Sequence, residues 1–211
     1  MSIRIYIACL ASYNNGVLHG RWIDADSNVD SMQEQVAAML RESKFPNVII
    51  QCPTCAGDGT GTYHNSETGE TREGPCLTCN GLGKVESAEE YAIHDSEGLP
   101  GNYGEYCGLQ AVADWVEFTE RFDHMDPDDL AAIVEHFGDL DSATQSIDDC
   151  FSGIYDSFRD YADQTADDTL DMGSWPDVAS RYFDYESYAR DLEHDVTTVD
   201  VSGGRVAVFW A

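Results

Sequence analysis

Ile3-Arg4-Ile5-Tyr6-Ile7-Ala8, then Asn14-Asn15-Gly16, then Leu18 to Ala25, is the stretch that decides the fold of the N-terminal part of this 211-residue chain. The first six residues alternate like a half-buried strand, the Asn-Asn-Gly triplet is a strong turn signal, and the third segment reads as a second strand. Working outward, Asp30 is placed to cap a helix, with Gln33 three residues on and Val36, Met39 and Leu40 as its apolar face. Asn47-Val48-Ile49-Ile50-Gln51 reads as a third strand and runs directly into a cysteine-rich segment, residues 52–83. Tyr91-Ala92-Ile93-His94 then reads as a short strand that resumes the interrupted sheet.

Within that segment, Cys52-Pro53-Thr54-Cys55-Ala56-Gly57-Asp58-Gly59 is matched by Cys76-Leu77-Thr78-Cys79-Asn80-Gly81-Leu82-Gly83. Each CxxC turn places two thiolates on one side of a cation, and two such turns complete a tetrahedral four-sulfur site suited to one structural Zn2+. The glycines permit the backbone turns that bring amide groups toward the sulfurs. Cys52, Cys55, Cys76 and Cys79 are therefore the expected metal ligands. With all four positions taken by cysteine there is no open place for water, so hydrolysis at the metal is not expected. The two units resemble the CxxCxGxG repeats of the DnaJ-type chaperone zinc domain, which has four of them. The intervening Gly59–Gly74 reads as a solvated hairpin tip that carries His64, the alternative ligand.

From Leu109 the pattern turns helical, with Leu109, Val112 and Val116 on one face and Trp115, Phe118 and Phe122 beside it. Asp126 at the cap, Pro127 at the first helical position and Asp128 and Asp129 in the first turn announce the next helix. Leu130, Ile133, Val134 and Phe137 form its stripe and Gly138 stops it. Ser142 to Asp149 reads as a short helix and Gly153-Ile154-Tyr155 as a strand. Ser157 caps a helix through Phe158, Tyr161 and Ala162. Tyr185, Tyr188 and Leu192 lie on a further helix, before strands Val196–Val201 and Arg205–Trp210 joined by a Gly203-Gly204 turn. The expected architecture is α+β, an elongated chain of three small units. Residues 1–104 form an α/β domain with the zinc-binding insertion at 52–83, residues 105–150 an acidic helical domain, and residues 151–211 a C-terminal α/β domain.

The charge is lopsided. Residues 86–200 carry 31 Asp and Glu against four Arg and no Lys, a net of −27 out of −29 for the whole chain, while residues 1–85 stand at −3. Such an imbalance opposes folding through self-repulsion. With 42% hydrophobic and 11% aromatic residues interleaved among the acids, the charge sits on folded elements rather than on a disordered tail. It excludes nucleic-acid binding by the usual electrostatic route, makes anionic membranes repulsive, and points to a basic partner. To a protein that grips DNA, such a surface looks like phosphate backbone. Salt adaptation is the other origin of Asp-rich surfaces, but it predicts acidity spread along the whole chain. No stretch approaches a membrane span and no signal-peptide pattern opens the chain, so a cytoplasmic protein is expected. No nucleophile elbow, phosphate loop or EF-hand is present, and among six isolated histidines only the His94-Asp95 pair stands out, so no enzyme is expected.

Ile5-Tyr6-Ile7-Ala8-Cys9-Leu10-Ala11-Ser12-Tyr13-Asn14-Asn15-Gly16, Leu18-His19-Gly20-Arg21-Trp22-Ile23-Asp24-Ala25 and Glu90-Tyr91-Ala92-Ile93-His94-Asp95-Ser96-Glu97-Gly98 resemble signatures of the ArdA antirestriction proteins. So do Gly153-Ile154-Tyr155-Asp156-Ser157 and the run Phe183 to Leu192, so the resemblance spans nearly the full length. Segment 52–83 departs from the family's usual pattern and reads as an insertion. The resemblance implies an elongated DNA mimic of three small domains, dimeric through its C-terminal part. It would occupy the DNA site of type I restriction–modification enzymes and so protect mobile DNA. The expected contact face comprises Asp114, Glu117, Glu120, Asp123, Asp128, Asp129, Glu135, Asp139, Asp141, Asp148 and Asp149. A zinc-module protein–protein adaptor, with acidity serving solubility, is the alternative. A chaperone reading lacks the J-domain HPD signature.

Overall fold

The computed structural model describes residues 3–66, 68–101 and 103–211, and it is an α+β protein built of small antiparallel sheets and short helices. The chain divides into two compact units, residues 1–116 and 117–211, the division falling inside the helix Gly108–Arg121.

In the first unit, strand β1 (Arg4–Cys9) is the middle of a three-stranded sheet. It pairs antiparallel with β2 (Gly20–Asp24) on one side and with the last strand of the unit, β7 (Tyr91–Glu97), on the other. The alternation of β1 sends Ile5 and Ile7 into the core, where they meet Met32, Val36, Met39 and Leu40 of helix α2 (Val29–Arg41). Between β1 and β2 the chain first makes a short helix, α1 (Leu10–Asn14), before Asn15 and Gly16 turn it. Only then does it pair, so the turn is wider than a two-residue hairpin. Helix α2 begins two residues earlier than the sequence suggests. Asn28, extended, accepts the Asp30 N–H at 3.0 Å and is the cap, which puts Asp30 in the first turn, where the dipole still favours it.

The third strand differs from expectation more consequentially. β3 (Val48–Gln51) does not join the β2-β1-β7 sheet; it pairs with β6 (Lys84–Ser87) in a separate two-stranded ribbon, with Gln51 opposite Lys84 at its far end. The cysteine segment hangs from that end. It contains a second ribbon, β4 (Thr60–His64) with β5 (Thr71–Pro75), the hairpin expected from the sequence. The near end of the β3–β6 ribbon is tied to the core: Asn47 and Ala88 donate backbone bonds to Ser87 and Leu40, and Ala88 is buried in the apolar cluster.

Helix α3 (Gly108–Arg121) contributes Leu109, Val112 and Ala113 to the same core. Beyond it, α4 (Pro127–Phe137) is built as its sequence dictates: Asp126 accepts from Asp128 N–H at 2.9 Å, Leu130 and Ile133 are fully buried, and Gly138 closes it at φ +93°. Helix α5 (Leu140–Cys150) starts before Ser142 because Asp139 is its cap, accepting the Ser142 N–H at 2.7 Å. A second antiparallel sheet follows, with β10 (Val206–Trp210) between β8 (Phe151–Tyr155) and β9 (Val196–Asp200). Helices α6 (Phe158–Thr169) and α8 (Tyr185–Leu192) cover it through Tyr161, Ala162, Ala189 and Leu192, packed with Val208. A short helix, α7 (Asp177–Arg181), that the sequence did not announce lies between them.

One expected surface charge is not at the surface. Asp129 is 1% exposed; it accepts the Ser202 N–H and hydroxyl at 3.0 and 2.6 Å and an Arg205 N–H at 2.7 Å. It thereby fixes the first turn of α4 to the turn before β10. Because the Ser202 N–H and hydroxyl would lose this acceptor and Arg205 would be left with its bonds to Ser202, Asp129→Ala should destabilise the fold by about 3 kcal/mol. Asp128→Ala, an exposed neighbour, should cost no more than about 1 kcal/mol, lost with its place beside the helix dipole. Urea unfolding midpoints of the two variants check this.

Candidate functional site

The cysteine segment is built on a close internal two-fold. Cys52 follows β3 directly and Cys76 follows β5 directly, and each knuckle leaves into a strand, Gly59 into β4 and Gly83 into β6. The Cys52 N–H donates to the Gly83 carbonyl at 2.9 Å, and the Cys76 N–H donates to the Gly59 carbonyl at 2.8 Å. Ala56 and Asn80 take the same left-handed conformation, φ +49° and +50°. The Gly59 N–H points at the Cys55 sulfur at 3.3 Å and the Gly83 N–H at the Cys79 sulfur at 3.2 Å. Thr54 and Thr78 meet hydroxyl to hydroxyl at 2.9 Å across the axis. A side chain at Gly59 or Gly83 would collide with the carbonyl of Gly81 or Gly57, which is why the CxxCxGxG spacing ends on glycine.

This symmetry brings the four sulfurs together. Those of Cys52, Cys55, Cys76 and Cys79 all lie within 4.8 Å of one another, with Cys52 to Cys76 at 3.9 Å and Cys55 to Cys79 at 3.8 Å. A tetrahedral ion at about 2.3 Å from each sulfur needs edges of about 3.8 Å. The donor set and spacing therefore fit a four-thiolate metal site. Burial pushes the Cys55 thiol up to about 11. At Cys52 burial pulls the same way but is outweighed, chiefly by the N–H groups of Cys55 and Thr54, and the thiol comes down to about 7. The amides thus already favour a thiolate at one position, and a bound cation would deprotonate the rest. Val85 is the apolar residue packed on the cysteines, a role its strand pattern did not reveal. His64 sits on the β4–β5 hairpin, 3.4 Å from the Thr71 hydroxyl, and is not part of the cluster.

The acidic surface is the other candidate. Residues 117–211 hold 24 Asp and Glu and five Arg. Three of those arginines are bridged to carboxylates: Arg121 to Asp148 at 2.5 Å, Arg159 to Asp163 at 2.6 Å and Arg205 to Asp129. Of the expected contact residues in this unit, Glu117, Glu120, Asp123, Asp128, Glu135, Asp139, Asp141, Asp148 and Asp149 are exposed, and Asp129 is the buried exception. Asp114, in the first unit, is half-buried and accepts from Gln110 at 2.7 Å. The Ser142 N–H and hydroxyl hold the Asp139 carboxyl below the usual carboxylate range, and Ser187 does the same at Asp184. These caps stay ionised well into acid.

His94 does not pair with Asp95. Its Nε2 lies 3.2 Å from Glu105, its ring meets Tyr13 edge-on at 5.1 Å, and Asp95 accepts from the Ser96 N–H instead. Glu105 is brought there by its own carbonyl, which accepts the Ile93 N–H, a link with no signal in the sequence. No helix among the described residues is long and apolar enough to cross a membrane.

The family model described as antirestriction protein (ArdA) matches residues 5–207. No curated protein matches the chain. Both candidate features fall between those bounds.

Protein purified under reducing conditions should carry about one metal ion per chain, read by atomic emission. Cys76→Ser should remove it, and affinity should weaken as pH falls, because each bound ion must displace protons from the sulfurs.

Proposed function

Because this chain belongs to the ArdA family of antirestriction proteins, we propose that it inhibits a type I restriction–modification enzyme by occupying its DNA-binding channel as a mimic of duplex DNA. The observation that carries this reading is the exposed, largely unbridged carboxylate surface of residues 117–211. At roughly one phosphate charge per 1.7 Å of duplex, the 27 net negatives of residues 86–200 match those of about 45 Å of DNA. Carboxylates on short capped helices replace phosphates, pair with the Lys and Arg that line such a channel, and release counterions from both surfaces. Steered encounter makes binding fast, and the same electrostatics make it weaken with salt. No bond is made or broken, and the protein acts as a stoichiometric ligand rather than an enzyme. Dimerisation through the C-terminal part and division into three domains, 1–104, 105–150 and 151–211, complete the proposal, as does a cytoplasmic site of action.

The four-cysteine centre holds one Zn2+ in this reading, a closed site that supplies folding free energy and no chemistry. Exposed Leu77 and Leu82 on the second knuckle favour one further use, the adaptor alternative, in which the insertion docks another protein. The register of the β3–β6 ribbon offers a clean discrimination, since Gln51 and Lys84 face each other and a two-residue turn can close the gap left by removing 52–83. The shortened chain should inhibit as well as the full one if the acidic surface is the working part, and should fail if the insertion is.

For the surface itself, Glu117, Glu120, Asp123, Asp128, Glu135, Asp141 and Asp149 should be changed to their amides singly and together. Each single change should weaken inhibition of DNA cleavage by only about two- to threefold, since an exposed charge is worth about 0.5 kcal/mol. The combined variant should lose inhibition and flatten its salt dependence. Full inhibition by the combined variant would overturn the mimic.

A further inference from the structure

We propose that residues 52–83 are a metal-operated fold within the chain: they hold their structure only with the ion bound, while the sheet and helices that carry them stay folded with or without it. The inference rests on the metal reading of the four cysteines and goes beyond it, from what is bound to what binding controls.

Two observations carry it. First, among the described residues the buried apolar content of the insertion consists of the four cysteines themselves, with Val85 packed against them. Leu77 and Leu82, which in an ordinary small domain would supply a core, are 76% and 78% exposed. The β4 and β5 strands are mostly exposed, and a two-stranded ribbon alone is marginal in water. A segment of this size normally needs a metal or disulfides to fold, and here the four cysteines are not disulfide-bonded. Without the ion, only a few backbone bonds and the Thr54–Thr78 contact among the described residues offset the cost of holding Ala56 and Asn80 at positive φ and two knuckles back to back.

Second, the insertion is joined to the rest at one place. Gln51 and Lys84 are opposite each other, and the four-residue ribbon behind them ends in core anchors: Ala88, 2% exposed, donates its N–H to Leu40, and the Glu89 N–H donates to the Asn47 side chain. Among the described residues, none of 52–83 belongs to the main core of Ile5, Ile7, Met32, Val36 and Met39. Unfolding that starts at the cysteines therefore stops along β3–β6. Metal supply then decides whether the hairpin and the two exposed leucines are displayed as a shaped surface or as loose chain.

Hydrogen exchange on the full chain tests this, with Zn2+ bound, after removal by a chelator, and after ZnCl2 is restored. Metal content is measured on each sample, and thiol reactivity is followed alongside. Peptides within 52–84 should lose protection on chelation and regain it with zinc, four thiols should become reactive, and peptides covering Arg4–Cys9, Met32–Leu40 and Tyr91–Glu97 should not change. Cys76→Ser should show the chelated pattern at any zinc concentration. Protection retained within 52–84 in a metal-free sample would overturn the proposal, as would loss spreading through the main sheet. A chain that never takes up metal would instead overturn the metal reading beneath it.

Discussion

Like-charge repulsion is the constraint around which the acidic half of this protein is arranged. Twenty-four carboxylates share residues 117–211 with five arginines and no lysine, and such a surface lowers the stability of any compact state. The fold answers it locally. Asp126, Asp139 and Asp184 serve as helix caps, where orphan amides and the helix dipole favour an anion. Arg121 and Arg159 each hold one carboxylate, and Arg205 and Ser202 take Asp129 out of the surface altogether. What remains outward is charge whose repulsion the chain bears and a basic channel would relieve. Under the proposed mimicry, folding cost and binding energy would be two sides of one surface, since a partner that neutralised these groups would recover what the free protein gives up.

The elements that sequence makes legible are those whose signals are local. α4 is announced by Asp126, Pro127 and Gly138, and each does there what its chemistry predicts. The four cysteines are legible because paired CxxC spacing is that of a four-thiolate metal site, and they do converge within 4.8 Å. Placements that depend on long-range pairing are not legible. Nothing in Val48–Gln51 says that its partner is β6 rather than β1, because an alternating apolar run fits either neighbour. Asp129 reads as one more first-turn acid, and its burial depends on a turn more than seventy residues away. Charge predicts the character of the surface well, while which individual acids face outward is set by packing. Glu105 reaches His94 through a backbone bond that carries no sequence signature at all.

The insertion obeys different physics from its host. The host is held by apolar burial around Ile5, Ile7 and the α2 face, whereas the insertion is held by sulfur geometry and by glycines at positions where a Cβ would strike a carbonyl. Residues 52–83 carry a net charge of −3 against −27 for residues 86–200, so the insertion shares little in the electrostatics that the acidic half displays. An appendage attached through one strand pair can be gained or lost without disturbing a core it does not touch, which fits its place inside a fold that completes its sheet, β2-β1-β7, without it.

The most direct measurement is ATP-dependent cleavage of unmodified DNA by a purified type I restriction enzyme, with this protein titrated in at several salt concentrations. Mimicry predicts inhibition that is complete near one inhibitor per DNA site, weakens steeply as salt rises, and is competed away by specific DNA. Undiminished cleavage across a panel of such enzymes, or inhibition indifferent to both salt and competing DNA, would contradict it.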